Sequence, residues 1–307
     1  VNVLVATDME GIGGIDDYRD CLPSHPAAYA RGCGLMTEEA LVAVEAVRAA
    51  GGAGRISVGD WHMVGTNVER DRLPGVEVRP IAELALVEEE PSMSKAHGGP
   101  LDAVVFIGHH ASTRNSRAFC SHTFVWEMEV TLDGEPMNEV QVYAQGLAAE
   151  GIPVLVASGD RWMLEELGVG ELGGAHLIPT KEGQGRARAR SYDLRATRAA
   201  LSEAIGAAIA APPSPPPSRS YPAELRIAVE GRELVLRTVA DAAELLGEIA
   251  TVFRTSPSVA REYRQLARLL PAGAGPLAQR AHRRLGSAIA TPVMLAKERS
   301  WLRAAPA

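Results

Sequence analysis

Asp8 and Glu10 close the segment VLVATDMEG. Residues two apart on an extended chain point to one side. Two carboxylates placed side by side repel each other and resist desolvation, so a nearby cation would compensate them. Three later stretches end in comparable groups. RISVGDWH supplies Asp60 and His62, LDAVVFIGHHA supplies His109 and His110, and CSHTF adds His122. NEVQVYAQ then opens with Asn138 and Glu139, and five of the eight histidines fall between His62 and His122. Imidazole and carboxylate oxygen are the normal non-thiolate ligands of a zinc-type ion. Asp8, with further ligands on either side, is placed to bridge two ions.

Each group also has a plainer use. Acidic residues after a strand cap helices or bind sugar hydroxyls, and a single histidine at a strand end is commonly a hydrogen-bonded structural residue. Neighbours on extended chain point opposite ways, so at most one of His109 and His110 ligates. The recurrence at successive strand ends is what favours metal. Other chemistries are weaker. Gly11-x-Gly13 is followed by Asp16 where a dinucleotide fingerprint needs glycine. No Walker A pattern and no G-x-S-x-G elbow occur. Cys120 reads as a buried, inert thiol.

The elements that must carry these groups alternate. VNVLVAT, RISVGD, LDAVVFIG and IPVLVASGD read as buried strands. Thr37 is a candidate N-cap for a helix over EEALVAVEAVRAA, ending at Gly51-Gly52. EMEVTLDGEPM reads as a hairpin about Asp133-Gly134, and Asn138 caps the next helix. An Ala-rich helix is expected from about Tyr192 to Ala211. The alternation predicts an α/β fold: a mostly parallel sheet with helices on both faces, Rossmann-like and three-layered. Active crevices of such sheets lie at the carboxyl ends of the strands. APPSPPPS marks a linker. The expected division is a catalytic domain over 1–211, a linker over 212–218 and a smaller α+β domain over 219–307. In the last, two strands surround Glu230-Gly231 and helices follow over about Val239–Phe253, Ser258–Leu270 and Ala278 onward.

Bulk properties narrow the partners. The chain has 307 residues, of which 46% are hydrophobic, enough for a real core. Its net charge of −7 disfavours nucleic acid, and Arg186, Arg188 and Arg190 read as a solvated helix face. No apolar run approaches the length of a membrane span. No signal-like stretch precedes the first strand, so a cytoplasmic location is expected. Three scattered cysteines suggest neither disulfides nor a thiolate zinc site.

DMEGIGG, MTEEA, GDWH, GHHA, SHTF, NEV and GIPVLVASGD, in this order, resemble the zinc-dependent D-aminopeptidases of dipeptide-transport operons, peptidase family M55. The resemblance covers roughly Val3 to Arg190. It implies two zinc ions per subunit, with Asp8 bridging, Glu10 and His62 completing one site, and His110 and Glu139 the other. His122 matches a catalytic histidine. The resemblance further implies release of an N-terminal D-residue from a small peptide or amide, and assembly into a homo-oligomer, with a decameric ring as the expected form. Within that reading Asp60 orients His62 or caps a helix. His109 packs away from the metals, and Lys181 is a surface lysine or meets the substrate carboxylate. The competing readings are a metal-dependent amidase or deacylase of a small metabolite, a non-catalytic metal- or ligand-binding protein, and a nucleotide-binding protein.

Overall fold

A computed structural model describes residues 1–51, 54–63, 65–80 and 92–256, together with Glu298 and Trp301. The helices expected over Ser258–Leu270 and from Ala278 onward lie outside the described residues. In chain order the elements are β1 (Val3–Thr7), α1 (Pro26–Ala49), β2 (Ile56–Asp60), β3 (Glu77–Pro80), α2 (Met93–His97) and β4 (Ala103–His109). The hairpin β5 (Met128–Leu132) and β6 (Glu135–Pro136) follows, then α3 (Glu139–Glu150), β7 (Val154–Asp160) and α4 (Arg161–Glu166). The chain continues through β8 (His176–Gly183), β9 (Ala189–Ser191), α5 (Leu194–Ala210), β10 (Ala223–Val229), β11 (Arg232–Val239) and α6 (Ala242–Thr255).

Seven strands form one sheet in the order β3-β2-β1-β4-β7-β8-β9. All its pairings are parallel except β8 with β9. Strand β1 is buried throughout, as a run apolar on both faces requires. Val3 and Val5 face a core shared with α1 and α5, whereas Leu4 and Ala6 face one shared with α3. That second core also takes in a four-stranded sheet of order β11-β10-β5-β6 and the apolar face of α6. The smaller sheet is therefore built from both sides of the proline-rich stretch, with β10 pairing antiparallel to β5 from Leu225↔Leu132 to Val229↔Met128. Among the described residues no helix is long and apolar enough to cross a membrane.

Two local expectations change. Helix α1 begins at Pro26, eleven residues before Thr37. Thr37 is buried inside it, donating to Cys33 O at 2.7 Å and accepting from Glu69 N at 2.9 Å. Gly32, inside the helix, is a packing requirement: a Cβ there would lie 2.3 Å from Asp20 O. The Arg186–Arg190 stretch is not helical. It leads into β9, and Arg188 pairs with Asp17.

The strand order reverses between β2 and β4, on either side of β1. That switch point opens a crevice at the strands' carboxyl ends. Asp8 follows β1, Asp60 ends β2 and His109 ends β4, with Thr7 paired to both Asp60 and Ile107.

Candidate metal centre and active site

The site is assembled from turns that leave those three strands. Asp8 N donates to Ile107 O at 2.8 Å, and Trp61 N donates to Thr7 O at 2.9 Å. Gly11 N donates to Gly108 O at 2.7 Å, and a Cβ on Gly11 would sit 2.1 Å from His109 O. Only glycine allows the backbone after Glu10 to lie that close to β4. Glu139 opens α3, whose start is fixed by a capping box between Asn138 and Gln141.

Asp8, Glu10, His62, His110, His122 and Glu139 are all buried, none more than 9% exposed. Asp8 lies between the two expected halves. Its Oδ1 is 3.5 Å from His62 Nδ1, and its Oδ2 is 3.1 Å from His110 Nε2. Glu10 Oε2 is 3.1 Å from the same His62 nitrogen, and Glu139 Oε1 is 3.4 Å from His110 Nε2.

Backbone carbonyls fix how each imidazole faces. His62 Nε2 lies 2.8 Å from Cys21 O, His110 Nδ1 lies 3.1 Å from Ala111 O, and His122 Nδ1 lies 2.7 Å from Cys120 O. A carbonyl only accepts, so those three nitrogens carry hydrogen. In the neutral rings the opposite nitrogens are bare, and for His62 and His110 these face carboxylates. A lone pair facing a carboxylate at hydrogen-bond distance needs a cation between them, either a proton or a metal. Without metal the proton takes that place. Burial pushes the His62 and His110 pKa values down, but Asp8 with Glu10 or Glu139 outweighs it and holds both well above the ordinary value. Burial raises Asp8 as well, and the two histidines overcome it to hold Asp8 well below the carboxylate range. His122 differs. Burial, with His110 beside it, pushes it down to about 4.

Three sets of groups bring ligand atoms within 4.8 Å of one another: Asp8, Glu10 and His110; His110, His122 and Glu139; and Asp8, His109 and Glu139. These sets hold five of the six expected residues; His62 is in none of them and joins the cluster through Asp8 and Glu10. His109 is nearer than expected. Its ring packs edge-on to Phe106, with centroids 5.1 Å apart, yet a ring nitrogen stays in reach of Asp8 and Glu139. Asp60 does not touch the His62 ring. It accepts from Asn67 N at 2.6 Å, Asn67 Nδ2 at 2.7 Å and Val68 N at 2.8 Å, and Asn67 Nδ2 lies 2.6 Å from His62 O. Asp60 therefore steadies the His62 backbone through Asn67. Lys181 is neither on the surface nor open to substrate. It is wholly buried, and its Nζ donates to Glu10 O at 2.6 Å and to Ile15 O.

The model of the peptidase M55 family, described as D-aminopeptidase, matches residues 1–268. The chain belongs to this family. The match runs past Arg190, so β10, β11 and α6 are part of what the family shares. The chain is therefore a peptidase, a hydrolase of peptide bonds in the D-aminopeptidase family. The solved structure of Zn-dependent D-aminopeptidase DppA from Bacillus subtilis, described as a self-compartmentalizing protease, aligns with a TM-score of 0.66 at 20% identity. The alignment covers 83% of this chain and 99% of that one, and it establishes a common fold. Comparison with curated proteins gives no match.

Residues given no role in the sequence reading also shape the site. Asp160 accepts from Phe119 N at 2.7 Å and Gly183 N at 3.1 Å, seating the loop that carries His122. Glu166 accepts from Ser112 and Asn138, tying the turn after His110 to the start of α3. The signal in sequence was thin: an acid at a strand end and another at the end of a short helix.

Proposed function

We propose that this chain is a zinc aminopeptidase with a two-ion centre, releasing the N-terminal D-residue of short peptides or amino-acid amides. Asp8 bridges the two positions. Glu10 and His62 complete one, and His110 and Glu139 complete the other. The observation that carries the reading is the pair of imidazole nitrogens, on His62 and His110, that face three buried carboxylates. Nitrogen and oxygen donors with no thiolate suit zinc. Bound there, zinc acts as a Lewis acid that lowers the pKa of water and polarises an amide carbonyl.

The protein's own groups supply the rest. His122 is neutral near pH 7 and has its Nδ1 tied to Cys120 O, so its Nε2 is free to accept a proton. That favours proton transfer from the nucleophile to the leaving amine over oxyanion stabilisation by His122. The buried walls exclude bulk water and strengthen each charge interaction. The chain functions as a homo-oligomer, a reading supported by its likeness to a self-compartmentalizing protease.

The test begins with elemental analysis of chelator-stripped protein reloaded with zinc, expected to give close to two ions per chain. Turnover of D-aminoacyl amides is then compared with that of L-aminoacyl amides and N-acyl compounds, and the D-series is expected to dominate. No tightly held metal after reloading, or preference for N-acyl compounds, would overturn the assignment. Sedimentation of the same sample reads the assembly state, and a monomer would refute the oligomer.

A further inference from the structure

Lys181 stands on β8 with its side chain fully buried. Among the described residues its hydrogen-bond partners are two backbone carbonyls, Glu10 O at 2.6 Å and Ile15 O. Its Nζ also sits 4.8 Å from the centroid of the Phe119 ring. A lysine amino group buried this way gives up its hydration for those contacts. The carbonyls bracket the turn from Glu10 to Ile15. Thr180, one residue earlier on the same strand, donates its hydroxyl to Gly11 O inside that turn. From the other side Gly108 O takes Gly11 N, with no room for a side chain on Gly11. The Glu10 backbone is therefore gripped by β8 and by β4, and its carboxylate is delivered 3.1 Å from His62 Nδ1. Among the described residues no side-chain hydrogen bond from β8 reaches His110 or Glu139 themselves; Thr180 Oγ1 also lies 3.0 Å from Gly159 O, on the strand paired with His109. His110 directly follows the end of β4, and Glu139 is set by the cap of α3.

We infer that Lys181 is a positioning residue for one metal position alone: it holds Glu10 as a ligand of the ion shared with His62, and the ion at His110 and Glu139 does not depend on it. The inference rests on the two-ion reading above. Lys181→Met keeps most of the length of the side chain and removes the ammonium that donates both hydrogen bonds. Thr180→Val removes the neighbouring grip with less disturbance to the core.

Each variant is stripped, then titrated with zinc against a competing chelator and with cobalt, following the visible absorption of the bound ion. Wild type is expected to take up two ions. Lys181→Met is expected to keep one with wild-type affinity and to bind the other at least tenfold more weakly, with the cobalt band of that ion altered. Thr180→Val should weaken the same ion by a smaller factor. Circular dichroism and the retained ion report that the fold persists. Two ions with wild-type affinities and spectra in both variants would overturn the inference while leaving the two-ion centre intact. Equal loss of both ions from Lys181→Met would overturn it too, because the residue would then support the whole domain. If Lys181→Met does not fold, Thr180→Val decides: an unchanged titration refutes the inference. A wild type that binds no metal refutes both readings.

Discussion

The His110 and His122 rings lie stacked, centroids 4.0 Å apart and planes 14° from parallel. The loop after β4 returns so that His122 N donates to Ala111 O at 3.2 Å, which sets one ring over the other. Two imidazoles so close in a buried site do not share two positive charges cheaply. The division of labour follows: His110 faces Asp8 and Glu139, while His122 stays neutral.

His122→Ala is expected to retain both ions and lose turnover. Removal of a positioned acid–base group lowers kcat by roughly 10²–10⁴, with KM changed far less. Metal analysis and steady-state kinetics on one preparation separate the roles. Loss of an ion would make His122 a ligand, a use open to it because its ring lies in reach of His110 and Glu139.

His62→Ala and His110→Ala are each expected to lose one ion and nearly all activity while keeping the fold. His62 touches Glu10 and Asp8, and His110 touches Asp8 and Glu139, so each deletion opens a different half. Zinc content and a thermal melt, measured side by side, give the answer. Two retained ions with full turnover in either variant would remove that residue from the ligand set.

Much of this cluster was legible in the sequence because Asp8, Glu10, His62 and His110 follow strands and Glu139 opens a capped helix, and such ends converge by topology. The parts that were not legible depend on contacts between distant segments. Lys181 reads as a surface lysine until the Glu10 and Ile15 carbonyls come into view. Asp60 reads as a partner of His62, two residues on, but its oxygens go to Asn67 and Val68. The pairing of β5 with β10 spans the proline-rich stretch, and no local pattern encodes it. The first turns of α1 were missed because Thr37 followed by two acids looks like a helix start, whereas Thr37 lies inside the helix with its hydroxyl on Cys33 O.

Glu166 gathers four donors on one carboxylate. These are Ser112 N, Ser112 Oγ and Asn115 Nδ2, each at 2.9 Å, and Asn138 Nδ2 at 3.0 Å. Glu166→Ala leaves all four without that acceptor. Unsatisfied donors in partly buried places make a loss of about 2–4 kcal/mol in unfolding free energy the expected result. Because Ser112 and Asn138 border His110 and Glu139, zinc affinity at that half should fall as well. Urea unfolding of metal-free protein checks the first, and chelator competition checks the second. Unchanged midpoint and affinity would reduce Glu166 to a solvated surface acid.

Glu39 provides a pH test at a carboxyl outside the proposed ligand set. It is buried on α1, accepts from Gly13 N at 2.8 Å, and burial pushes its pKa from 4.5 up to about 7. The folded state therefore binds the proton more tightly than the unfolded chain does. The sign follows: Glu39 costs nothing below the unfolded pKa, and stability declines as pH rises from about 4.5 to about 7 and then levels off. The full decline from this group is about 3 kcal/mol. Glu39→Gln keeps the acceptor for Gly13 N and removes the ionisation. The stability of Glu39→Gln minus that of wild type should grow across this window and stay constant above it. Urea midpoints at pH steps between 4.5 and 8.5 measure the difference, and other titrating groups cancel because both proteins carry them. Parallel curves would mean that the Glu39 carboxylate ionises without penalty inside the fold.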